Sequence, residues 1–422
     1  MKHIHVIGAG LAGLSAALSL TRVGRPVTVH EAAPVAGGRC RSYFDRELGL
    51  RIDNGNHLIL SGNRAAMAYL EEIGAENRMT RPEQPLFPFM DLKTGDRWVV
   101  RPNRGRIPWW VFSSQRRVPE TRLSDYWGMA RISRFTDDTP VADSMRRGRL
   151  YWRLLEPIAV AALNTPSQAG LARLLAPVMR ETLMRGGNAC APVLPKEGLS
   201  EAMADPAVAT LRSRGAEIRF SGRIAELTLA DSRVRGLRGP DGMIDLGPTD
   251  SVVLAVPPWV AADLLPGLTV PNAFEAILNI HLAVAPDPNG PLGVAGFIGL
   301  TSGTAEWVFM KQGHVSVTIS AANSMVDDDA RAIASLVWSN VVDALNLGPV
   351  AKETLPPYRV VKEKRATFAA TAEQDVRRPG PTTALAANLA IAGDWTDTGL
   401  PATIEGAIRS GRAAADAVLS FK

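Results

Sequence analysis

The pattern of apolar and polar positions predicts strands that alternate with helices at both ends of this chain. Residues 2–7 alternate and then become apolar, which predicts a buried strand, and the alanine- and leucine-rich stretch up to Leu20 predicts a helix. Apolar runs at 26–30 and 389–392 predict two more buried strands, the second followed by a helix. We therefore predict an α/β domain with a parallel sheet.

The middle of the chain has a different pattern. Short strands are predicted in 86–106, whereas 121–187 is helical and too apolar for a solvent-exposed linker. Residues 259–375 predict further strands and a helix over 328–346. Because 422 residues exceed one ordinary core, we predict two interleaved domains. The α/β domain comprises 1–85, 188–257 and 376–422, and an α+β domain with a helical cap, which binds the substrate, comprises 86–187 and 258–375.

A glycine motif joins the first strand to the first helix. Its pattern is G-x-G-x-x-G, in which the glycines permit a tight turn, a close approach to a pyrophosphate, and close packing of helix on strand. The helix N-terminus adds N–H groups and a positive dipole end. The alternative is a glycine-rich loop without a ligand. The predicted dinucleotide contacts are Gly8, Ala9, Gly10, Leu11, Ala12 and Gly13.

An acidic residue supports a Rossmann-like dinucleotide site. Glu31 follows the second strand and lies 18 residues after Gly13 (31 − 13), close to the usual spacing of about 20 for a carboxylate that binds ribose hydroxyls. We expect Glu31 and its neighbour Ala32 to contact the adenosine ribose.

The next segment indicates which dinucleotide binds. Gly37, Gly38 and Arg39 begin a G-G-R-x-x-[ST] sequence that resembles the amine oxidase and phytoene desaturase flavoproteins. The resemblance implies non-covalent FAD, with backbone N–H groups and a permanent arginine charge near its diphosphate. Many members of that superfamily have an arginine two residues before the glycine pair, where this chain has Val35.

Two later segments resemble the same superfamily. Ile224 is at the position where the superfamily contacts adenine through its backbone. Gly393 and Asp394 follow the last predicted strand, where a carboxylate can accept hydrogen bonds from ribityl hydroxyls. The N-terminus of the final helix can stabilise negative charge on the flavin pyrimidine. The residues assigned to that role are Ala402, Thr403 and Ile404.

A polar turn lies where this superfamily brings the chain back beside the isoalloxazine ring. The resemblance therefore makes Asn54, Gly55 and Asn56 expected cofactor contacts. His57 is the histidine best placed to titrate near the flavin. The alternative is an Asp-Asn-Gly turn that only connects two elements.

A closer resemblance covers nearly the whole chain. The segments 156–166, 186–190, 195–201 and 395–405 are similar to the hydroxysqualene dehydroxylases, FAD-dependent enzymes of bacterial hopanoid pathways. The resemblance implies that the allylic hydroxyl of hydroxysqualene is protonated as it leaves, and that a flavin hydride completes squalene. The ranked candidates for the acid are His57, Asp53 and Asp397, and Trp395 is a candidate π face for the positive charge.

Other functions stay open at this point. A carotenoid-type desaturase shares these motifs but runs the flavin as an oxidant, and an amine oxidase needs an aromatic pair, of which only Trp395 is evident. A lipid hand-over scaffold would need no redox chemistry. Because FAD fills the one dinucleotide motif found, an enzyme of this kind needs an external electron donor, which the sequence does not identify.

Composition narrows the setting of the protein. A net charge of +5 and a pI near 9.4 favour binding to anionic lipid or to nucleic acid. No nucleic-acid-binding motif supports the second option. No metal site is assigned. Two cysteines, Cys40 and Cys190, do not make a disulfide framework, which favours the cytoplasm. No apolar run reaches the roughly 18 to 20 residues of a membrane span.

One aromatic segment suggests contact with a membrane surface. Trp109, Trp110 and Phe112 lie among the arginines of residues 104–117, a composition that fits a membrane interface. The alternative is that these tryptophans form the core of the cap. We predict a cytoplasmic protein that binds peripherally to the inner face of the membrane and takes an isoprenoid lipid substrate.

Overall fold

The computed structural model describes residues 2–293 and 295–421. The strands are β1 (Ile4–Ile7), β2 (Val27–His30), β3 (Ser42–Asp45), β4 (Leu50–Asp53), β5 (Ile59–Leu60), β6 (Met79–Thr80), β7 (Phe87–Asp91), β8 (Arg97–Val100), β9 (Pro192–Pro195), β10 (Glu217–Arg219), β11 (Glu226–Ala230), β12 (Arg233–Gly239), β13 (Gly242–Asp245), β14 (Ser251–Leu254), β15 (Phe274–Leu282), β16 (Phe297–Thr301), β17 (Trp307–Lys311), β18 (His314–Ile319), β19 (Tyr358–Phe368) and β20 (Leu389–Ile391). The α-helices are α1 (Leu11–Arg22), α2 (Arg64–Glu72), α3 (Leu123–Ile132), α4 (Glu156–Leu163), α5 (Ala172–Glu181), α6 (Gly187–Cys190), α7 (Asp205–Ser213), α8 (Pro258–Leu264), α9 (Ala330–Leu345), α10 (Ala372–Asp375) and α11 (Ile404–Ser420).

A five-stranded parallel sheet, in the order β10, β2, β1, β14, β20, forms one layer of the fold. β1, β2 and β14 are buried along their whole length, with α1 and α11 packed beside them. The chain continues from β1 to β2 on one side, while β14 lies on the other. The carboxyl ends of β1 and β14 therefore flank a crevice, which is where ligands bind in sheets of this kind.

A seven-stranded mixed sheet, in the order β19, β15, β18, β17, β16, β7, β8, forms the second large sheet. Its side chains alternate between two faces, as strand geometry requires. Leu278 and Val317 belong to the apolar core that includes α9. The neighbouring positions Asn279, Ser316 and Thr318 carry polar side chains on the opposite face. That polar face is where the sheet meets the candidate site.

The chain between 121 and 187 forms a helical cap, as the sequence predicts. α3, α4 and α5 are joined by shorter helical turns, and the π-helical turn Tyr151–Leu155 runs directly into α4. An aromatic cluster that includes Phe89, Trp98 and Trp307 packs between the cap and the seven-stranded sheet. The cap is therefore anchored to the sheet by a shared core.

These elements confirm the predicted fold class, a Rossmann-like α/β sheet combined with an α+β part and a helical cap. The division into two discontinuous domains stays a prediction. Within residues 2–293 and 295–421, no helix has both the length and the apolar character needed to cross a bilayer.

Candidate cofactor and active site

The first glycine loop leaves its backbone open at the end of β1. Gly8 has a φ of +106°, and a Cβ there would lie 2.3 Å from the carbonyl oxygen of Ala255. A Cβ on Gly13 would lie 1.9 Å from the Gly8 oxygen, so α1 packs as closely as the motif predicts. Around Gly10, by contrast, a Cβ would meet no atom within 4 Å. No side chain caps α1, so the N–H groups of its first turn can bind a phosphate.

The second glycine loop lies directly against the first. Gly37 donates its N–H to the oxygen of Ala9 at 2.8 Å, and a Cβ on Gly38 would approach Cα of Gly10 to 3.4 Å. The left-handed φ of +58° at Gly38 is readily available to glycine. Two glycine-rich loops thus pack against each other, and this arrangement fits a bound diphosphate.

Glu31 extends this cradle from the end of β2. Its carboxylate accepts the N–H of Ala9 at 2.7 Å and the N–H of Ala33 at 2.8 Å, which fixes it beside the first loop, with Ala32 between. The backbone carbonyl oxygen of Glu31 also accepts the N–H of Gly222. This bond brings the loop before the buried Ile224 beside the end of β2. This geometry fits the expected contacts with adenosine.

The last cofactor segment meets the second glycine loop. Asp394 follows β20, and its Oδ1 accepts a hydrogen bond from the guanidinium of Arg39 at 2.6 Å. Arg39 also donates to the oxygen of Ala366. The side chain of Arg39 is 41% exposed, so a ligand can still reach it. We expected Arg39 at the diphosphate, and the structure adds this pairing with Asp394.

The N-terminus of α11 lies just beyond this loop. Thr403 caps the helix by accepting the N–H of Gly406 at 3.0 Å, and Ala402 and Ile404 flank it at half-buried positions. Glu405, in the first turn, is turned away and accepts the N–H groups that begin α2, at residues 65 and 66. The backbone at 402–404 therefore remains available to a flavin.

The predicted flavin turn is fixed to the seven-stranded sheet by its amides. The side chain of Asn279 donates to the oxygen of Asn54 and accepts the N–H of Asn56, both at 3.3 Å. Asn56 also donates to Ser316 at 2.8 Å and Thr318 at 3.0 Å. A Cβ on Gly55, between them, would meet Asn279 at 3.3 Å. The turn therefore fastens the end of β4 to the seven-stranded sheet and does more than connect neighbouring elements.

Asp53 begins this turn as a buried, ionised carboxylate. Lys311 lies 2.8 Å from its Oδ2, and Oδ1 accepts hydrogen bonds from Ser42 at 2.6 Å and from the N–H of Leu199 at 2.9 Å. Burial opposes ionisation, but the charge of Lys311 and these hydrogen bonds lower the pKa of Asp53 below its usual value. Asp53 is therefore a poor proton donor near neutral pH, which argues against its predicted role as the acid.

His57 lies among the charges of the cofactor segments. Burial is the main reason that its pKa is lowered to about 4. The charges of four nearby residues shift the pKa less: Asp53, Arg39, Lys311 and Asp394. His57 was predicted to lie near the flavin, and its closeness to Arg39 and Asp394 of the cofactor segments agrees with that prediction. A neutral imidazole, however, cannot supply the proton that a general acid needs at pH 7, so the structure argues against His57 in that role.

The other two catalytic candidates also lie in unsuitable environments. Trp395 is 2% exposed, donates its indole N–H to Val256 at 3.0 Å and packs in the core, so its ring offers no open π face. Asp397 lies at the surface, where its carboxylate accepts the N–H of Gly399 at 3.2 Å. These positions argue against a π face at Trp395 and leave Asp397 without the enclosed setting of a catalytic acid.

Comparison with known proteins decides the family. Hydroxysqualene dehydroxylases of Rhodopseudomonas palustris and Sinorhizobium fredii are each 46% identical to this chain, and the alignments cover 99% of both partners. The hydroxysqualene dehydroxylase of Zymomonas mobilis is 42% identical over the full length of both chains.

The chain belongs to the hydroxysqualene dehydroxylase family.

The chain also matches a wider superfamily, and solved structures share its fold. The sequence profile of the flavin containing amine oxidoreductases matches residues 11–286 and 306–419. Putrescine oxidase has the same fold with a TM-score of 0.68 at 15% identity, covering 99% of both chains. Cyclohexylamine oxidase from Brevibacterium oxydans has a TM-score of 0.70 at 14% identity, covering 99% of this chain and 98% of the other. The protein is an FAD-dependent oxidoreductase, so the predicted cofactor and enzyme class are confirmed.

Sequence reasoning missed two charged residues. Lys311 is 258 residues from its partner Asp53, and no local pattern relates them. Glu306 is half-buried, its Oε2 accepts the N–H of Ser320 at 2.8 Å, and burial together with the charge of Glu156 raises its pKa to about 7. It precedes β17 without a motif, so only the three-dimensional structure identifies it.

Proposed function

We propose that this enzyme reduces hydroxysqualene to squalene in squalene and hopanoid biosynthesis. Full-length similarity to three hydroxysqualene dehydroxylases carries the proposal, and the paired glycine loops that fit FAD support it. In the overall reaction the carbon–oxygen bond breaks, a proton converts the departing hydroxyl into water, and a hydride forms the new carbon–hydrogen bond. FAD, when bound and reduced, supplies that hydride, and an external donor must reduce it again.

The chain's own residues hold the cofactor and supply the proton. The backbones of the two glycine loops, with Arg39 and Glu31, would hold the diphosphate and ribose, and Asp394 would accept hydrogen bonds from the ribityl hydroxyls. The Asn54 to Asn56 turn is fastened to the polar face of the seven-stranded sheet, and its residues would contact the flavin. We assign the role of the acid that protonates the departing hydroxyl to Glu306, in place of the three residues that the sequence favoured: His57, Asp53 and Asp397.

The position of Glu306 supports this assignment. Ser320, which donates to Glu306, lies two residues after Thr318, whose hydroxyl accepts a hydrogen bond from Asn56 in the flavin turn. Two residues of extended chain span about 7 Å, so the carboxyl group of Glu306, which Ser320 contacts, lies one such step along the chain from the contact between Thr318 and the turn. With a pKa raised to about 7 by burial, Glu306 holds a proton in a large fraction of molecules at neutral pH.

A strained contact lies beside this carboxyl group. Ala321 has a φ of +47°, although it is not glycine, and it donates its N–H at 2.7 Å to Asn164, which itself has a φ of +46°. Residues held in this region cost of order 1–3 kcal/mol each and cluster at functional sites. Asn164 ends α4, so the contact fixes the cap to the end of β18 next to Glu306. This supports a functional role for the Glu306 region.

The setting of the enzyme follows from its substrate. We propose that it works in the cytoplasm, peripherally on the inner face of the membrane, because a triterpene alcohol partitions into lipid. Cys40 and Cys190 are free thiols, which agrees with a reducing compartment.

A single-turnover experiment tests the proposed reaction. FAD-loaded protein is reduced with dithionite, the excess is removed, and hydroxysqualene in detergent is added without oxygen. We expect one squalene per flavin and full return of the oxidised flavin spectrum, whereas oxidised protein should form none. If the flavin stayed reduced in the presence of hydroxysqualene, the proposal would be wrong. Reduction of the oxidised protein by squalene or phytoene would instead indicate a desaturase.

A further inference from the structure

The helical cap and the loop that precedes it carry large apolar side chains on their outer surface. Ile107 is 59% exposed, Trp109 and Phe112 are each 62% exposed, and Trp127 on α3 is 77% exposed. Leu123, one helical turn before Trp127, is exposed as well. We call these five residues the cap surface. Exposed apolar residues scattered singly are ordinary, but five large ones on a loop and a helix that pack against each other indicate an interaction site.

The cap surface is held rigidly by the residues beneath it. The side chain of Asn103 accepts the N–H of Trp110 at 3.2 Å and donates to the oxygen of Ile107 at 2.9 Å. Its backbone oxygen accepts the N–H of Gly187 at 2.7 Å, which ties the loop to α6. Trp110 is 6% exposed and packs edge-on against Tyr126 of α3, at 5.4 Å between ring centroids.

This packing explains why neighbouring tryptophans differ. The 3₁₀ turn Trp109–Phe112 directs Trp110 inward and leaves Trp109 and Phe112 outside, with their ring centroids 6.0 Å apart. Trp110 is therefore buried, as the alternative of a cap core requires, whereas Trp109 and Phe112 are exposed. Because Trp110 packs on Tyr126, the turn lies directly beside α3, the helix that carries Leu123 and Trp127.

Charge is concentrated around this surface. Residues 101–153 contain 12 arginines, no lysine and 5 acidic residues, a net charge of +7 (12 − 5). The whole chain has a net charge of +5, so the remaining residues sum to −2 (5 − 7). Within the part of the chain that the structure describes, Arg104, Arg106, Arg116 and Arg122 form no ion pair, and all four are exposed.

We propose that the cap surface docks on a bilayer that contains anionic phospholipid. The aromatic side chains would enter the boundary between headgroups and acyl chains, and the surrounding arginines would contact lipid phosphates. The concentration of positive charge here, on a chain otherwise slightly negative, favours an anionic membrane over a second copy of this basic surface. The proposal rests on the proposed function for its purpose, the delivery of a lipid substrate.

Vesicle sedimentation of the FAD-loaded protein, without substrate, tests the proposal. Vesicles of phosphatidylcholine are compared with vesicles that also contain phosphatidylglycerol, and we expect strong binding only to the second kind. The double variant Trp109→Ser with Trp127→Ser should lose about tenfold or more in binding. The triple variant Arg104→Gln, Arg106→Gln, Arg116→Gln should lose about a hundredfold, on the order of fivefold for each arginine.

Matched controls lie on another part of the protein. Val350→Ser removes an exposed apolar side chain near α9, and Arg331→Gln removes an exposed arginine on α9, so both should bind like the parent protein. FAD content and circular dichroism confirm that each variant folds. Unchanged vesicle binding in the folded cap-surface variants would overturn the proposal. So would a parent protein that forms a concentration-dependent dimer and binds no vesicles, if the cap-surface variants abolish that dimer. The single-turnover assay in detergent uses no vesicles, so failure of the reaction is distinguished from failure of docking.

Discussion

The guanidinium of Arg39 donates to the carboxylate of Asp394 at 2.6 Å, although 355 positions separate the two residues in the chain. Arg39 belongs to the second glycine loop, and Asp394 follows β20 at the far end of the five-stranded sheet. The pair ties the second glycine loop to the last cofactor segment. A ligand that contacts both residues would therefore stabilise the closure of the chain around itself.

Replacing Asp394 should weaken FAD binding. Asp394→Asn removes a charged acceptor for ribityl hydroxyls and leaves Arg39 without its counter-charge, and hydrogen bonds to charged groups contribute about 1.5–3 kcal/mol. We expect the Kd for FAD to rise about 10- to 100-fold in titrations of the apoprotein. Asp397→Asn, a surface change in the same loop, is the matched control and should leave the Kd unchanged. Equal effects of the two variants would contradict the assigned role of Asp394.

FAD should be released by acid precipitation. Cys40 is the cysteine next to the second glycine loop, but it is buried, and burial raises the pKa of its thiol to about 12. Because the thiolate is the nucleophile, a thiol with this pKa is not activated to attack the flavin. The colour should therefore appear in the supernatant after precipitation and centrifugation. A yellow pellet that loses its colour in the Cys40→Ser variant would show that the cofactor is attached there.

The cofactor cradle was predictable because its rules are local. Gly8, Gly10 and Gly13 act through the geometry of one turn, and Glu31 follows from the length of one strand-helix-strand unit. Such positions can be recognised along the sequence without knowledge of how distant segments pack. The family resemblance then carried the same reasoning to the segment that contains Asp394.

The polar surroundings of the site depend on distant contacts, and there prediction was weaker. Lys311 lies in a strand whose sequence shows only an apolar run, and its pairing with Asp53 arises when β4 packs beside the seven-stranded sheet. Burial in the assembled fold also lowers the pKa of His57, a change that composition cannot reveal. Trp395 matched a family segment, but its direction depends on packing against Val256 after β14. The environments of Lys311, His57 and Trp395 all depend on burial, which is a property of the assembled fold.

Removing the charge of Lys311 should destabilise the fold. Lys311→Met leaves the buried carboxylate of Asp53 without its partner, which typically costs about 3–5 kcal/mol. The free energy of unfolding from urea titration at pH 7 measures this loss. Adding Asp53→Asn to the variant should restore part of the stability, because the uncompensated charge is then gone. A double variant less stable than Lys311→Met would contradict this account.

The same pair predicts how the loss depends on pH. The pKa of Asp53 is lowered in the folded protein, so its stabilising contribution is complete above the unfolded value of about 3.9 and is lost as the pH falls through the folded value. The difference in stability between the parent protein and Lys311→Met should therefore be largest near neutral pH and should shrink below about pH 4. A difference that stays constant down to pH 3 would mean that the ion pair is not its source.

His57 should prove dispensable for the proton transfer. Burial lowers its pKa to about 4, so it is already neutral throughout the neutral range and gains no proton to donate there. His57→Gln keeps a hydrogen-bonding side chain and should change the single-turnover rate only a few-fold. Its flavin absorbance spectrum should shift, because the side chain lies among the cofactor segments. A loss of about 10² to 10⁴ in rate with FAD retained would return the acid role to His57.

Glu306→Gln should remove the proton donor while keeping the shape of the side chain. The amide can still accept the N–H of Ser320, so the contact at 2.8 Å and the fold should survive. Without an ionisable proton, the single-turnover rate should fall by about 10² to 10⁴ at pH 7. Glu156→Gln is the matched control, because it removes a nearby charge without removing the proposed donor.

The pH profile distinguishes proton donation from a structural role. Because burial raises the pKa of Glu306 to about 7, the parent protein should react fastest below pH 7 and slow tenfold per pH unit well above it. The carboxyl group is protonated on the acid side, so the rate must fall, and not rise, as the pH increases through 7. In Glu306→Gln the residual rate should lose this dependence. Loss of the charge in Glu156→Gln should lower the pKa of Glu306 and move the decline to lower pH, because the like charge of Glu156 helps to keep the proton on Glu306. A profile in Glu306→Gln that still declines through pH 7 would place the titrating acid elsewhere.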